Sequence, residues 1–142
     1  MILYLDTSSL LKLYVEEPGT GEVRSRVESA TVVATSVIAY PEAHAAVGRR
    51  YREGALTKAE FGTVLERFRD TWGHYLAVLL SLPIYMRAGT LAVRYALRGM
   101  DAIHLASFTE LLGHGDTVEF LSHDTRLSAA AKKQQRRHRH RS

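Results

Sequence analysis

Four acids stand where packing alone does not call for a carboxylate. Asp6 ends the apolar run Ile2-Leu3-Tyr4-Leu5 in MILYLDTSSLLKLY. Glu42 follows Pro41 in TSVIAYPEAHAA, Asp101 interrupts RGMDAIHLA, and Asp124 follows VEFLSH. Gathered at one place, they form an all-oxygen donor set, which selects hard cations such as Mg²⁺ or Mn²⁺ over zinc. Such an ion lowers the pKa of a bound water and clamps the oxygens of a phosphodiester during in-line displacement. Thr7, Ser8 and Ser122 add hydroxyls that could orient a carboxylate or meet the ion through water. Taken singly, each acid has a plainer explanation. Asp6, Asp101 and Asp124 could be helix N-caps, and Glu42 a surface helix residue.

The elements that must position these residues decide between the two readings. Ile2 to Leu5, Thr31 to Thr35 and Val118 to Ser122 read as buried parallel strands. Helical patterns separate them. Thr57 and Glu60 make a capping box, after which Phe61, Val64, Leu65, Phe68 and Trp72 recur on one face. Further helices are expected over Met86 to Leu97, Met100 to Leu112 and from Asp124 through DTRLSAAAKK. Alternating strands and helices predict a three-layer α/β/α fold with a central parallel sheet. Ligands of such sheets bind beyond the carboxyl ends of the strands. Asp6 and Asp124 follow two strands at that end. The second strand leads through Ser36 into the helix of Glu42, and Asp101 opens another. Four caps converging on one rim by chance is the weaker account.

With 142 residues the chain is long enough for one core without cross-links, and it has no cysteine. Disulfides and thiolate metal sites are therefore excluded, and a reducing cytoplasm suits the composition. The longest apolar stretch, Tyr75 to Leu82, is too short to span a bilayer. The net charge of +4 is unevenly spread. The ending KKQQRRHRHRS holds six of the 19 Lys and Arg, leaving 13 cations against 15 acids over residues 1–131, a body of −2. Residues 132–142 are thus expected to be a disordered polybasic tail after a domain spanning 1–131, with RNA contact as the alternative use.

These motifs, in this order, resemble the PIN-domain nucleases, and in particular the VapC-type toxins of toxin–antitoxin pairs. LDTSSLLKLYVEEPG is similar to the family's first strand and helix. TSVIAYPEAHAA is similar to its second motif, with Glu42 at the acidic position, and MDAIHLA to its third, with Asp101. FLSHDTRLSAAA is similar to the last, with Asp124 and with Ser122 at the hydroxyl position. The resemblance covers residues 1 to about 131. It implies a metal-dependent endoribonuclease that pairs as a homodimer and is blocked by a cognate antitoxin in its active-site groove. It also implies products with a 5′-phosphate and a 3′-hydroxyl. Two departures stand out. Pro41 is expected to kink the helix of Glu42, and the polybasic tail stands where the family continues into another strand.

Competing chemistries lack their residues. An aspartyl-phosphate mechanism wants a second acid two residues after Asp6, where Ser8 stands, and no phosphate-cradling glycine loop is present. A DNA nuclease would use the same metal logic, but usually with helical insertions for which this chain is too short. A non-catalytic protein-binding module remains the contrasting class. His104 could ligate the ion, although a histidine inside IHLA is more often packed and hydrogen-bonded. His44 and His123 read as structural or rim residues. Arg49, Arg50 and Arg52 could meet RNA phosphates or simply form a solvated helix end.

Overall fold

A computed structural model describes all residues, 1–142. Four strands, β1 (Ile2–Leu5), β2 (Val32–Ser36), β3 (Leu76–Val78) and β4 (Val118–Leu121), pair in the order β3-β2-β1-β4. Every pairing is parallel, with Ile2 opposite both Val32 and Val118. Side chains alternate across β1, as a strand requires. Tyr4 enters one core with Leu91, Leu105, Phe108 and Leu127, while Leu3 and Leu5 enter the other with Leu10, Val23, Val47 and Phe68. Both faces are covered, so Leu3, Tyr4 and Leu5 are fully buried. The three-layer α/β/α expectation is met.

One helical layer comprises α1 (Thr7–Leu11), α2 (Thr20–Ser29), α3 (Ala39–Arg52) and α4 (Lys58–Thr71). The other comprises α5 (Leu82–Tyr95), α6 (Gly99–Leu112) and α7 (Thr125–Arg141). The capping box at the start of α4 forms in both directions, Glu60 N–H to Thr57 Oγ1 at 3.1 Å and Thr57 N–H to Glu60 Oε1 at 2.9 Å. At the rim, the buried Thr35 hydroxyl donates to the Leu5 carbonyl at 2.8 Å, tying β2 to β1 one residue before Asp6.

Three expectations change. The run from Tyr75 to Leu82 hides β3, a strand of three residues whose apolar flanks carry no period. Helix α5 starts at Leu82 rather than Met86, because Ser81 and Pro83 supply its first turn. The tail is not a disordered appendage: α7 continues through residues 132–141 without a break after Ala131. Extending an established helix costs far less than starting one, and nothing in KKQQRRHRHR breaks it. Gln134 is buried, with Nε2 donating to the Tyr95 hydroxyl at 2.8 Å, and Gln135 Nε2 donates to the Val118 carbonyl at 3.1 Å. The polybasic turns are therefore docked.

Docking has a measurable consequence. Gln134→Ala removes a buried hydrogen bond and is expected to lower unfolding stability by about 1 kcal/mol in urea melts. A stability equal to the parent's would mean that these turns are not held against α5.

Candidate active site

Asp6 serves as both cap and site residue. It is 4% exposed at the end of β1 and caps α1 by accepting from Ser9 N–H at 3.1 Å through Oδ1. Ser122, just past β4, donates to Oδ2 at 2.6 Å. Asp124 likewise caps α7, its Oδ1 accepting from Leu127 N–H at 2.9 Å, while its own N–H donates to Ser122 Oγ at 3.0 Å. Ser122 thus couples the two strand-end acids. The Ser128 hydroxyl donates to the Ser122 carbonyl at 2.8 Å and holds that loop in place.

Pro41 does not kink the helix of Glu42. It lies in the first turn of α3, where backbone N–H groups have no intrahelical partner, so its missing donor removes no bond. The first α-helical bond comes one residue later, from Glu42 N–H to the Ile38 carbonyl at 3.1 Å. The Glu42 side chain then receives the Thr7 hydroxyl at 2.6 Å and His104 Nε2 at 3.2 Å, both on Oε1.

His104 is the residue whose role was least legible. It is 1% exposed on α6, and Nε2 also donates to Thr7 Oγ1 at 2.9 Å. A carboxylate only accepts, so the proton faces Glu42, and in the neutral ring the Tyr4 hydroxyl donates to Nδ1 at 2.8 Å. A buried line of hydrogen bonds therefore runs from the core, through Tyr4 and His104, to Thr7 and Glu42. Its signal in the sequence was a polar residue in an apolar helix three positions after an acid.

Asp101, in the first turn of α6, is held by no hydrogen bond within the protein. Burial pushes its carboxyl above the usual range, and the negative charges of Asp124, Asp6 and Glu42 push further, against the pull of His104. Glu42 goes the other way. Burial raises it, but hydrogen bonds from His104 and Thr7 work against burial, and the carboxyl is held below the usual range.

A cavity of about 490 Å³ is lined by Asp6, Glu42 and Asp101, together with Thr7, Ser8 and His104. Asp101 also lines a neighbouring cavity of about 430 Å³ with Asp124, so it is the acid common to both. Arg49, Arg50 and Arg98 edge the first cavity, whereas Arg52 does not. Arg50 is committed to Glu17 at 3.2 Å. Arg98, which precedes α6, gave no signal in the sequence because it belongs to no charged run. His44 stands apart, bonded to Arg69 at 3.1 Å, and His123 lies at the rim beside Glu22 at 3.1 Å.

The donor set is all oxygen, as a hard cation requires. Asp124 Oδ2, Glu42 Oε2 and both Asp101 oxygens have no protein partner, and none of them is sealed from solvent. No three acid or imidazole side chains close into a ready-made cage. Like charges without a counter-ion stay apart.

Two stability measurements follow from this geometry. His104→Leu leaves the Tyr4 hydroxyl buried without an acceptor and should cost about 1–3 kcal/mol, part of which returns when Tyr4→Phe is added. Full additivity of the two changes would contradict the hydrogen-bonded line. Asp101 binds its proton more tightly folded than unfolded, so its contribution to stability falls as pH rises through the carboxylate range. Asp101→Asn without metal should accordingly be more stable than the parent at neutral pH, with the advantage fading in acid. A variant less stable at every pH would contradict the repulsion.

The chain is similar to known proteins along most of its length. The profile of the PIN domain matches residues 3–133. Ribonuclease VapC45 of Mycobacterium tuberculosis (strain CDC 1551 / Oshkosh) is 34% identical over 106 residues, 75% of this chain and 74% of the relative. Ribonuclease VapC49 of Mycobacterium tuberculosis (strain ATCC 25618 / H37Rv) matches to the same extent, 34% over 106 residues. The crystal structure of FitAcB from Neisseria gonorrhoeae superposes with a TM-score of 0.64 at 22% identity, over 93% of this chain and 94% of that one, which bears on the fold alone. The matched segment runs from β1 into α7 and takes in all four acids: this chain belongs to the PIN domain family.

Proposed function

We propose that the chain is the endoribonuclease toxin of a toxin–antitoxin pair, cutting RNA phosphodiesters by attack of water in the cavity of Asp6, Glu42 and Asp101, with Asp124 beside it. The supporting observation is the convergence of four carboxylates from β1, α3, α6 and the β4–α7 junction, felt in the raised pKa of Asp101. Relatives named as VapC ribonucleases, similar over three quarters of the chain, support the same class.

Each side chain has a distinct task in this reading. Asp6, Glu42, Asp101 and Asp124 would hold Mg²⁺ or Mn²⁺, which, when bound, offsets phosphate charge and makes water a better nucleophile. Ser122 and the α1 backbone orient Asp6, Thr7 and His104 orient Glu42, and the α7 backbone orients Asp124. Three acids are thus oriented by protein hydrogen bonds, and a bound ion would draw the four together from their open arrangement. Asp101, whose oxygens have no partner within the protein, is free to turn toward the ion and the attacking water.

The partners follow from charge and apolar exposure. The three carboxylates that line the cavity suit an antitoxin segment that inserts an Arg or Lys among them and takes the place of the metal. The homodimer is supported by Leu79, Leu82, Met86 and Val93, all exposed on the outer side of α5 and the segment before it. No helix is long and apolar enough to cross a membrane; action in the cytoplasm is part of the proposal.

Purified protein given Mg²⁺ or Mn²⁺ should cleave single-stranded RNA to 5′-phosphate ends, and chelation should stop it. Asp101→Asn should lower the rate by orders of magnitude while remaining folded. Glu66→Gln, an exposed acid on α4, should cleave like the parent. Unchanged cleavage by Asp101→Asn would remove the four-acid site as catalyst and favour a binding module. Cleavage of DNA in place of RNA would favour the DNA nuclease.

A further inference from the structure

The docked polybasic turns of α7 build a second surface, of the opposite sign. Gln134, Arg137, His138 and Arg141 are spaced i, i+3, i+4 and i+7 and so share one face. That face meets Arg87 and Arg94, seven residues apart on α5, around a groove of about 270 Å³. Four guanidinium groups therefore line one small groove. A single acid, Glu110, answers them nearby, and it is engaged by Arg87 at 3.2 Å. Arg94, Arg137 and Arg141 have no carboxylate partner. Repulsion among them costs stability unless an anion is drawn in.

The groove is aligned with the acidic centre. Helix α7 begins beside Asp124, and Arg141 lies about 25 Å along it at 1.5 Å per residue. Between them the cations recur on the α5-facing side. Arg126 donates to the Ala96 carbonyl at 3.0 Å and lines the cavity of Asp101 and Asp124, and Lys133 lies over the Tyr95 ring, 5.8 Å from its centroid. Helix α5 ends at that same cavity. The result is a row of cations leading away from the proposed cleavage point.

We propose that the α5–α7 groove is an RNA-backbone track, in which Arg94, Arg137 and Arg141 bind phosphodiesters flanking the scissile one. This rests on the ribonuclease reading above and adds to it where the strand lies. Track contacts carry no base information, so sequence preference has to arise elsewhere. They raise affinity for long single strands in a salt-dependent way.

The test uses full-length protein in chelator, so that RNA is bound and not cut, with a labelled single-stranded oligoribonucleotide followed by anisotropy across a salt series. Combining Arg94→Gln, Arg137→Gln and Arg141→Gln should reduce the slope of log affinity against log salt by about 2, from roughly 0.7 per lost contact. Near 0.1 M salt the Kd should rise roughly 100-fold. A control combining Arg24→Gln, Arg67→Gln and Arg69→Gln removes the same charge elsewhere and should keep the parent's slope. Equal losses in both variants would show general charge attraction and overturn the track, as would parent-like binding by the groove variant. Cleavage assays on the same proteins separate the two readings. A parent that cleaves RNA, with a groove variant that binds like it, loses the track and keeps the nuclease. A parent that never cleaves, with a groove variant that binds weakly, loses the nuclease and keeps the track.

Discussion

Mutual repulsion among Asp6, Glu42, Asp101 and Asp124 is the constraint around which this fold is arranged. Adjacent parallel strands β1 and β4 deliver two of the acids to the same rim, and helices on opposite faces of the sheet deliver the others. Nothing in the core needs them there. The protein tolerates the concentration of charge by binding the acids unequally. Asp6 and Asp124 accept helix N–H groups, whose partial positive charge favours carboxylates, and Glu42 accepts from Thr7 and His104. Asp101 accepts nothing and carries the strain as a raised pKa.

That unequal division gives the site its chemical character. Asp6, Glu42 and Asp124 are each tied to the backbone or to a neighbouring side chain, and Asp101 is left to respond to what enters. The buried Tyr4–His104 pair extends this order into the core, so the position of Glu42 depends on the packing of β1 against α6. Arg49, Arg98 and Arg126 stand at the edge of the acids, and the other cations of α5 and α7 lie farther off, leaving an acidic centre at one end of a basic groove. The net charge of +4 hides both.

Much of this was legible in the chain because its strongest local signals agree with the final packing. The strands β1, β2 and β4 show as short apolar runs, and Thr57 with Glu60 marks the start of α4 unmistakably. The acids were legible because each interrupts an apolar context at a strand end or helix start. What was not legible depends on tertiary partners. Strand β3 is three residues inside an aperiodic apolar run, and only pairing with β2 defines it. The order in residues 132–141 combines continuation of α7 with Gln134 and Gln135 finding Tyr95 and Val118, partners that no local pattern announces. Pro41 misled because its effect depends on its place in the helix, harmless in the first turn and disruptive later. The hydrogen-bonded role of His104 required knowing that Tyr4 lies beside it, 100 residues away in sequence.

The proposed role of these carboxylates is to hold a divalent cation. The most direct measurement is calorimetric titration of Mn²⁺ into metal-free protein, repeated with Asp6→Asn and Asp101→Asn. Saturable binding by the parent, displaced by excess Mg²⁺ and markedly weakened in both variants, is the predicted result. Parent and variants that take up Mn²⁺ equally, or a parent that takes up none, would contradict it.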